Sequence, residues 1–300
     1  MDKNPASKQF SRLFVPVLIY WIIGFAAKFV AEVAVLTPHM AEIMGSAVFT
    51  QQELMENAMN YAGEMFKILM EYQVQITAFG ALLTIPYSFI QFRKDKAKMP
   101  VVEKHSNSIV SYIKVAALAV IACVGLNSIA LMMNLAMIDD RYQATSDVMY
   151  NAPFSVQIIC LGIIIPVAEE LIFRGVVYKR FRQYATFVRA AVFSTLMFSL
   201  AHGNFVQMIY AFAIGMLLSF VYDKFDSFAA PVCLHIVVNI TSLIITEVGG
   251  FTWLYADPMR MAVASVLCAF LGSVIFVNIN KMKEKEGPSD IIDSDLTKFS

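Results

Sequence analysis

Glu169 and Glu170 stand side by side in an otherwise apolar run from Phe154 to Tyr178, and Arg174 follows one helical turn later. An ionised carboxylate near the middle of a bilayer costs about 3 kcal/mol or more, so an ionisable residue there is a candidate functional group by default. Two histidines, His202 and His235, and one amide, Asn239, fall in later apolar runs. A carboxylate and an imidazole can hold and deprotonate a water. A second imidazole and an amide N–H can donate hydrogen bonds to a developing oxyanion. Together these groups could hydrolyse a bond. Glu169, His202 and His235 could instead ligate a divalent metal such as zinc, with water in the open position. The residue types also allow two non-hydrolytic readings: a buried ion-pair network that fixes helix packing, and a proton path of the kind found in transporters.

The spacings place these groups on shared faces. Glu170 and Arg174 are four apart and meet on one side of a helix, so the arginine can orient the carboxylate. Glu169 lies about 100° further round and faces elsewhere. His235 and Asn239 repeat the four-residue spacing, as do Phe198 and His202, which sets the Phe198 ring beside the imidazole. At 1.5 Å per residue, Glu170 lies about 15 Å from the cytoplasmic edge of its run, His235 about 10 Å, Asn239 about 16 Å and His202 about 20 Å. The four can therefore converge in one layer, in the cytoplasmic half to the middle of the bilayer.

The elements that must position them are membrane helices. Of 300 residues, 58% are hydrophobic and 15% charged, against about 45–50% apolar and about 25% charged in a soluble domain. The apolar excess lies in blocks of span length. The expected fold is all-α: a polytopic membrane helix bundle of about eight transmembrane helices. The spans are expected near 13–36, 68–92, 109–138, 154–178, 188–203, 205–222, 228–247 and 259–280, with a tight break at Gly203-Asn204. With the N-terminus inside, 17 basic residues fall in inside segments and three (Lys67, Arg141 and Arg260) in outside ones. Lys28, Lys114 and Arg174 lie within spans. This asymmetry supports both termini being cytoplasmic.

The first apolar run is too long for a signal-peptide core and is expected to be the first span. The organisation expected is three helices and their loops over 1–150, a catalytic helical core over 151–250, a last span over 251–280 and a polar, disordered cytoplasmic tail over 281–300. The acidic outside loop 37–66 could carry a short amphipathic helix. His39 and His105 are expected in solvated loops. Cys123, Cys160, Cys233 and Cys268 fall in apolar blocks without a CxxC pair and read as small hydrophobic residues. Zero net charge gives no footprint for nucleic acid.

Three elements occur in order: Glu169-Glu170-x-x-x-Arg174, Phe198-x-x-x-His202 and His235-x-x-x-Asn239. Together, flanked by Pro166, Phe173-Arg174-Gly175 and Pro231, they resemble the CPBP family of intramembrane proteases. This is the CAAX protease/bacteriocin-processing or Abi family, which includes type II CAAX endopeptidases. The resemblance covers roughly residues 154–245. It implies endopeptidase cleavage of membrane-associated, prenylated or bacteriocin-like peptides. It further implies that Glu169 and His202 activate the water, that His235 and Asn239 stabilise the oxyanion, and that Glu170 and Arg174 orient the others. The family carries a metalloprotease label, but this chain lacks HExxH, which favours a glutamate-activated water. The partners implied are a membrane-associated peptide and the lipid bilayer, and the location a bacterial plasma membrane. Two alternatives stay open: a non-catalytic immunity or scaffold protein with the same fold, and a proton-coupled transporter. The absence of an internal repeat argues against the second.

Overall fold

The computed structural model of the chain describes residues 5–44, 51–97, 107–133 and 139–282. All elements there are helical: α1 Pro5–Met44, α2 Gln51–Lys96, α3 Ile109–Met132, α4 Asp140–Asn151, α5 Phe154–Phe181, α6 Phe187–Leu200, α7 Phe205–Phe225, α8 Ala229–Glu247, α9 Gly250–Tyr255 and α10 Pro258–Asn280. Seven of them are long and apolar enough to cross a membrane, and the protein is a multi-pass membrane protein. α6 has 14 residues, about 21 Å of rise, which is short of the roughly 30 Å hydrocarbon core. The helix of the fifth expected span is therefore too short to cross by itself.

Large apolar side chains face outward where lipid would lie. Phe25 is 78% exposed, Val266 70% and Phe270 64%. The interior is built around α5, which packs against α2, α6 and α8. Phe173, Val176 and Val177 of α5 are fully buried with Phe198, Leu218 and Leu234. The rings of Phe173 and Phe198 meet edge to face at 5.4 Å.

The basic end of the bundle is tied by arginines. Arg180 Nε donates to Asp95 Oδ2 at 2.6 Å, Nη1 to the Arg12 carbonyl at 2.7 Å and Nη2 to Gln91 Oε1 at 3.0 Å. One side chain thus gathers the matching ends of α1, α2 and α5. Arg182 Nε and the Tyr178 hydroxyl both donate to Asp223 at the end of α7.

The opposite end is closed by α4, an element absent from the expected organisation. Asp139 caps it by accepting from the Arg141 N–H at 3.0 Å. The same carboxylate accepts from the Phe205 N–H at 2.6 Å, and Thr145 Oγ1 accepts from Asn204 Nδ2 at 3.5 Å. α4 and its cap therefore give partners to the Asn204 amide and to the Phe205 N–H at the start of α7, groups that would lack them in lipid. Asn204 is itself the N-cap of α7, accepting from the Gln207 N–H at 2.8 Å, so the expected break at Gly203-Asn204 is borne out.

Three further expectations change. His39 lies in α1, not in a loop, because α1 continues to Met44. The acidic stretch 51–66 belongs to α2, one helix continuous with the second span. The third span ends at Met132. His105 and the tail from 283 onward lie outside the described residues.

Candidate active site

Glu170 is fully buried and its Oε1 accepts two hydrogen bonds. Arg174 Nη1 donates at 3.0 Å and His235 Nδ1 at 2.9 Å. The four-residue spacing on α5 delivers the first contact and the packing of α8 delivers the second. Arg174 is also fully buried. Its Nη2 donates to the Gly215 carbonyl at 3.2 Å, and its guanidinium lies 4.4 Å from the Phe198 ring centroid. α7 needs glycine at 215: a Cβ there would stand 2.6 Å from Thr195 Cγ2 and 2.9 Å from Arg174 Nη2. The pair is stripped of water completely, and Glu170 Oε2 and Arg174 Nε have no hydrogen-bond partner among the described residues, so its stability rests on the bonds that Oε1, Nη1 and Nη2 make.

His235 links the two glutamates. A carboxylate only accepts, so Nδ1 carries the proton that Glu170 receives. Nε2 then points toward Glu169 Oε2 at 3.8 Å. That separation is too long for a direct hydrogen bond, but one water can touch both atoms. Unlike Glu170, Glu169 keeps 17% of its side chain exposed, and it lines a cavity of about 600 Å³ together with His202, His235 and Asn239.

Asn239 is held by an irregularity in α5. Residues Cys160–Ile164 form a π turn, and the Ile165 N–H bonds back five residues to the Cys160 carbonyl. The Leu161 carbonyl would need the N–H of residue 166 in the same pattern, and residue 166 is proline, which has none. The freed carbonyl accepts instead from Asn239 Nδ2 at 2.8 Å. One amide N–H is used in this way and the other is left to face the cavity. Gly162 lets α8 approach here: a Cβ would lie 3.0 Å from Ile240 Cγ1.

His202 sits in the turn just past the end of α6 rather than within a span. Its Nδ1 donates to the Phe198 carbonyl at 3.0 Å, which leaves Nε2 bare. The ring packs edge to face on Phe198 at 4.9 Å. The four-residue relation of Phe198 and His202 holds, although the helix itself has ended.

All six residues singled out from the sequence thus lie in one neighbourhood, with four on the cavity wall and Glu170 and Arg174 behind it. Others were missed. Asn127 Nδ2 donates to the Tyr210 hydroxyl at 3.4 Å, and both line the cavity. Lys28 crosses from α1 over Gly80, where a Cβ would meet its Cγ at 2.7 Å, within electrostatic range of Glu169 and Glu32. A basic residue in the middle of the first span was the available signal for Lys28. Nothing in the sequence separated Asn127 or Tyr210 from ordinary packing residues.

A metal centre on Glu169, His202 and His235 does not fit this arrangement. Among the described residues no three His, Cys, Asp or Glu side chains gather around one point. His235 Nδ1 is committed to Glu170, and its Nε2 faces an oxygen of Glu169.

Fold and site together define a multi-pass helical membrane protein with a buried carboxylate–imidazole centre. Residues 151–241 match the family model of the type II CAAX prenyl endopeptidase Rce1-like proteins. The family recognised from the three motifs is therefore the one that this segment matches. Two bacterial relatives are similar over about the same length. "Putative membrane peptidase YdiL" of Bacillus subtilis (strain 168) is 26% identical over 33% of this chain and 40% of its own. "UPF0177 protein YxdF" of Lactococcus lactis subsp. lactis (strain IL1403) is 29% identical over 32% of this chain and 52% of its own. The matched region thus spans about half or less of each curated relative. No solved structure matches.

Proposed function

We propose that the chain is an intramembrane endopeptidase that cleaves peptide bonds of membrane-associated peptides with a water activated by Glu169. The observation that carries this reading is the asymmetry of the adjacent glutamates. Glu170 is fully buried and bonded to Arg174 and His235, whereas Glu169 opens onto a cavity that two bare imidazole nitrogens also face. The family match over 151–241 and the name of the Bacillus subtilis relative support it.

In this mechanism a water held between Glu169 and His235 Nε2, with His202 on the same cavity wall, gives a proton to the Glu169 carboxylate as its oxygen attacks the peptide carbonyl carbon. The carbonyl π electrons move to oxygen, and the free Asn239 N–H donates to that oxyanion. When the C–N bond breaks, the proton on Glu169 passes to the leaving amine. Because Nδ1 of His235 is bound to Glu170, Nε2 is the ring atom left for the water. That suits holding water better than the oxyanion donation implied by the resemblance.

The test compares peptide termini, by mass spectrometry, in membranes carrying the wild type or Glu169→Gln. Termini that need Glu169 establish proteolysis. Identical termini, with both proteins inserted and folded, leave the non-catalytic scaffold reading.

A further inference from the structure

The cavity lies in one half of the bundle, away from the basic end. On α2 its wall is Gln73 and Thr77, and Thr77 is fourteen residues before the Gln91 that Arg180 binds, about 21 Å along the helix. Glu169 is eleven residues before Arg180, so about 16 Å from that end. From this mid-depth the cavity runs outward beneath α4, where the half-exposed Thr145 and Ser146 and the exposed Ala144 form its rim.

The charges assign a side to each end. Among the described residues Arg12, Arg93, Lys94, Lys96, Lys179, Arg180, Arg182, Arg189, Lys224 and Lys281 lie at the Arg180 end, and only Lys67, Arg141 and Arg260 toward the other. The basic end is cytoplasmic by the positive-inside rule, so the α4 rim faces outward. We propose that this site takes its substrate from the extracytoplasmic side: an extended peptide segment of an exported or externally exposed membrane-associated chain, rather than a cytoplasmic prenylated C-terminus. The side of the opening stands apart from the chemistry, while the substrate class rests on the protease reading.

The lining suits such an occupant. Glu169 is the one carboxylate among the cavity-lining residues described, and no Lys or Arg is among them. The polar remainder, including Gln73, Thr77, Asn127 and Gln207, is neutral and can both donate and accept. An unfolded peptide entering the bilayer needs such partners for its bare N–H and C=O groups.

The test is labelling by a membrane-impermeant maleimide on cells expressing the full chain. Ala144→Cys stands on the cavity rim and Arg189→Cys is exposed at the basic end, each read against the wild-type chain with its four cysteines. Gln143→Cys, exposed on the same helix as Ala144, covers the case in which position 144 is shielded. The expected result is labelling of the α4 variants in intact cells and of Arg189→Cys only after permeabilisation. The reverse pattern overturns the proposal. Termini that depend on Glu169 are expected in extracytoplasmic segments of their substrates, and their recovery from cytoplasmic segments would also overturn it. If no termini depend on Glu169, the protease reading falls while the labelling still decides the side.

Discussion

His235 stands between both adjacent glutamates with one ring: Nδ1 donates to Glu170 at 2.9 Å and Nε2 faces Glu169 at 3.8 Å. Two identical side chains, consecutive in sequence, thereby become different groups. Glu170 anchors the ring and Glu169 faces the space in which a substrate would lie.

The first prediction separates them. Glu169→Gln should lower cleavage by at least about 100-fold, the scale of one acid–base group, and should leave the thermal midpoint in detergent nearly unchanged. Glu170→Gln should lower both, because Arg174 loses its counter-charge. Equal loss of midpoint in the two variants would refute the division of roles.

Arg174→Met should destabilise by about 3–5 kcal/mol, the cost of leaving one member of a buried pair alone. The double variant Glu170→Gln/Arg174→Met should recover part of that loss, since neither charge then lies buried alone. Thermal melts of the three variants measure the coupling, and strict additivity would argue against a coupled pair.

Gly215→Ala forces a methyl group against Thr195 and Arg174, and overpacking of this kind costs about 1–3 kcal/mol. It should lower cleavage as well, because Arg174 holds Glu170. Gly63→Ala, with nothing within 4 Å of the added methyl, should be neutral or slightly stabilising. The pair of melting curves checks both.

Asn239→Ala leaves the Leu161 carbonyl without its donor. Buried hydrogen bonds between membrane helices average about 0.6 kcal/mol and reach about 1–2 kcal/mol, so the stability loss should be small. The turnover number should fall further than this, because the remaining amide N–H faces the cavity. A variant with wild-type turnover would remove Asn239 from the chemistry.

The helical membrane architecture and the six clustered residues were legible because both depend on local rules. Span-length apolar blocks announce helices, and four-residue spacings announce shared faces. The Glu170–Arg174 pair and the Phe198–His202 contact follow from spacing alone. The Glu170–His235 bond does not, since it depends on how α8 packs on α5 across 65 residues of chain. α4 was missed because its twelve residues are polar and lie between two spans, where hydropathy carries no signal. The fifth span already read as short from the sequence; its helix ends still earlier, at Leu200, because Ala201, His202 and Gly203 extend the run without interrupting it.

The π turns of α5, Cys160–Ile164 and Phe173–Tyr178, bracket the glutamates. Each holds one residue more than an α-helical turn would. Deleting a single residue from the first would let the helix close into regular α form with the segments on either side kept close to their present phase, because the surplus residue is absorbed within that one turn. A residue lost between the two π turns has no such outlet and would rotate the glutamates by about 100° relative to the first π turn. The spacing of motifs along this chain is therefore a matter of phase as well as distance: one residue lost at position 167 would leave every named side chain in the sequence and turn the glutamates out of register with Asn239.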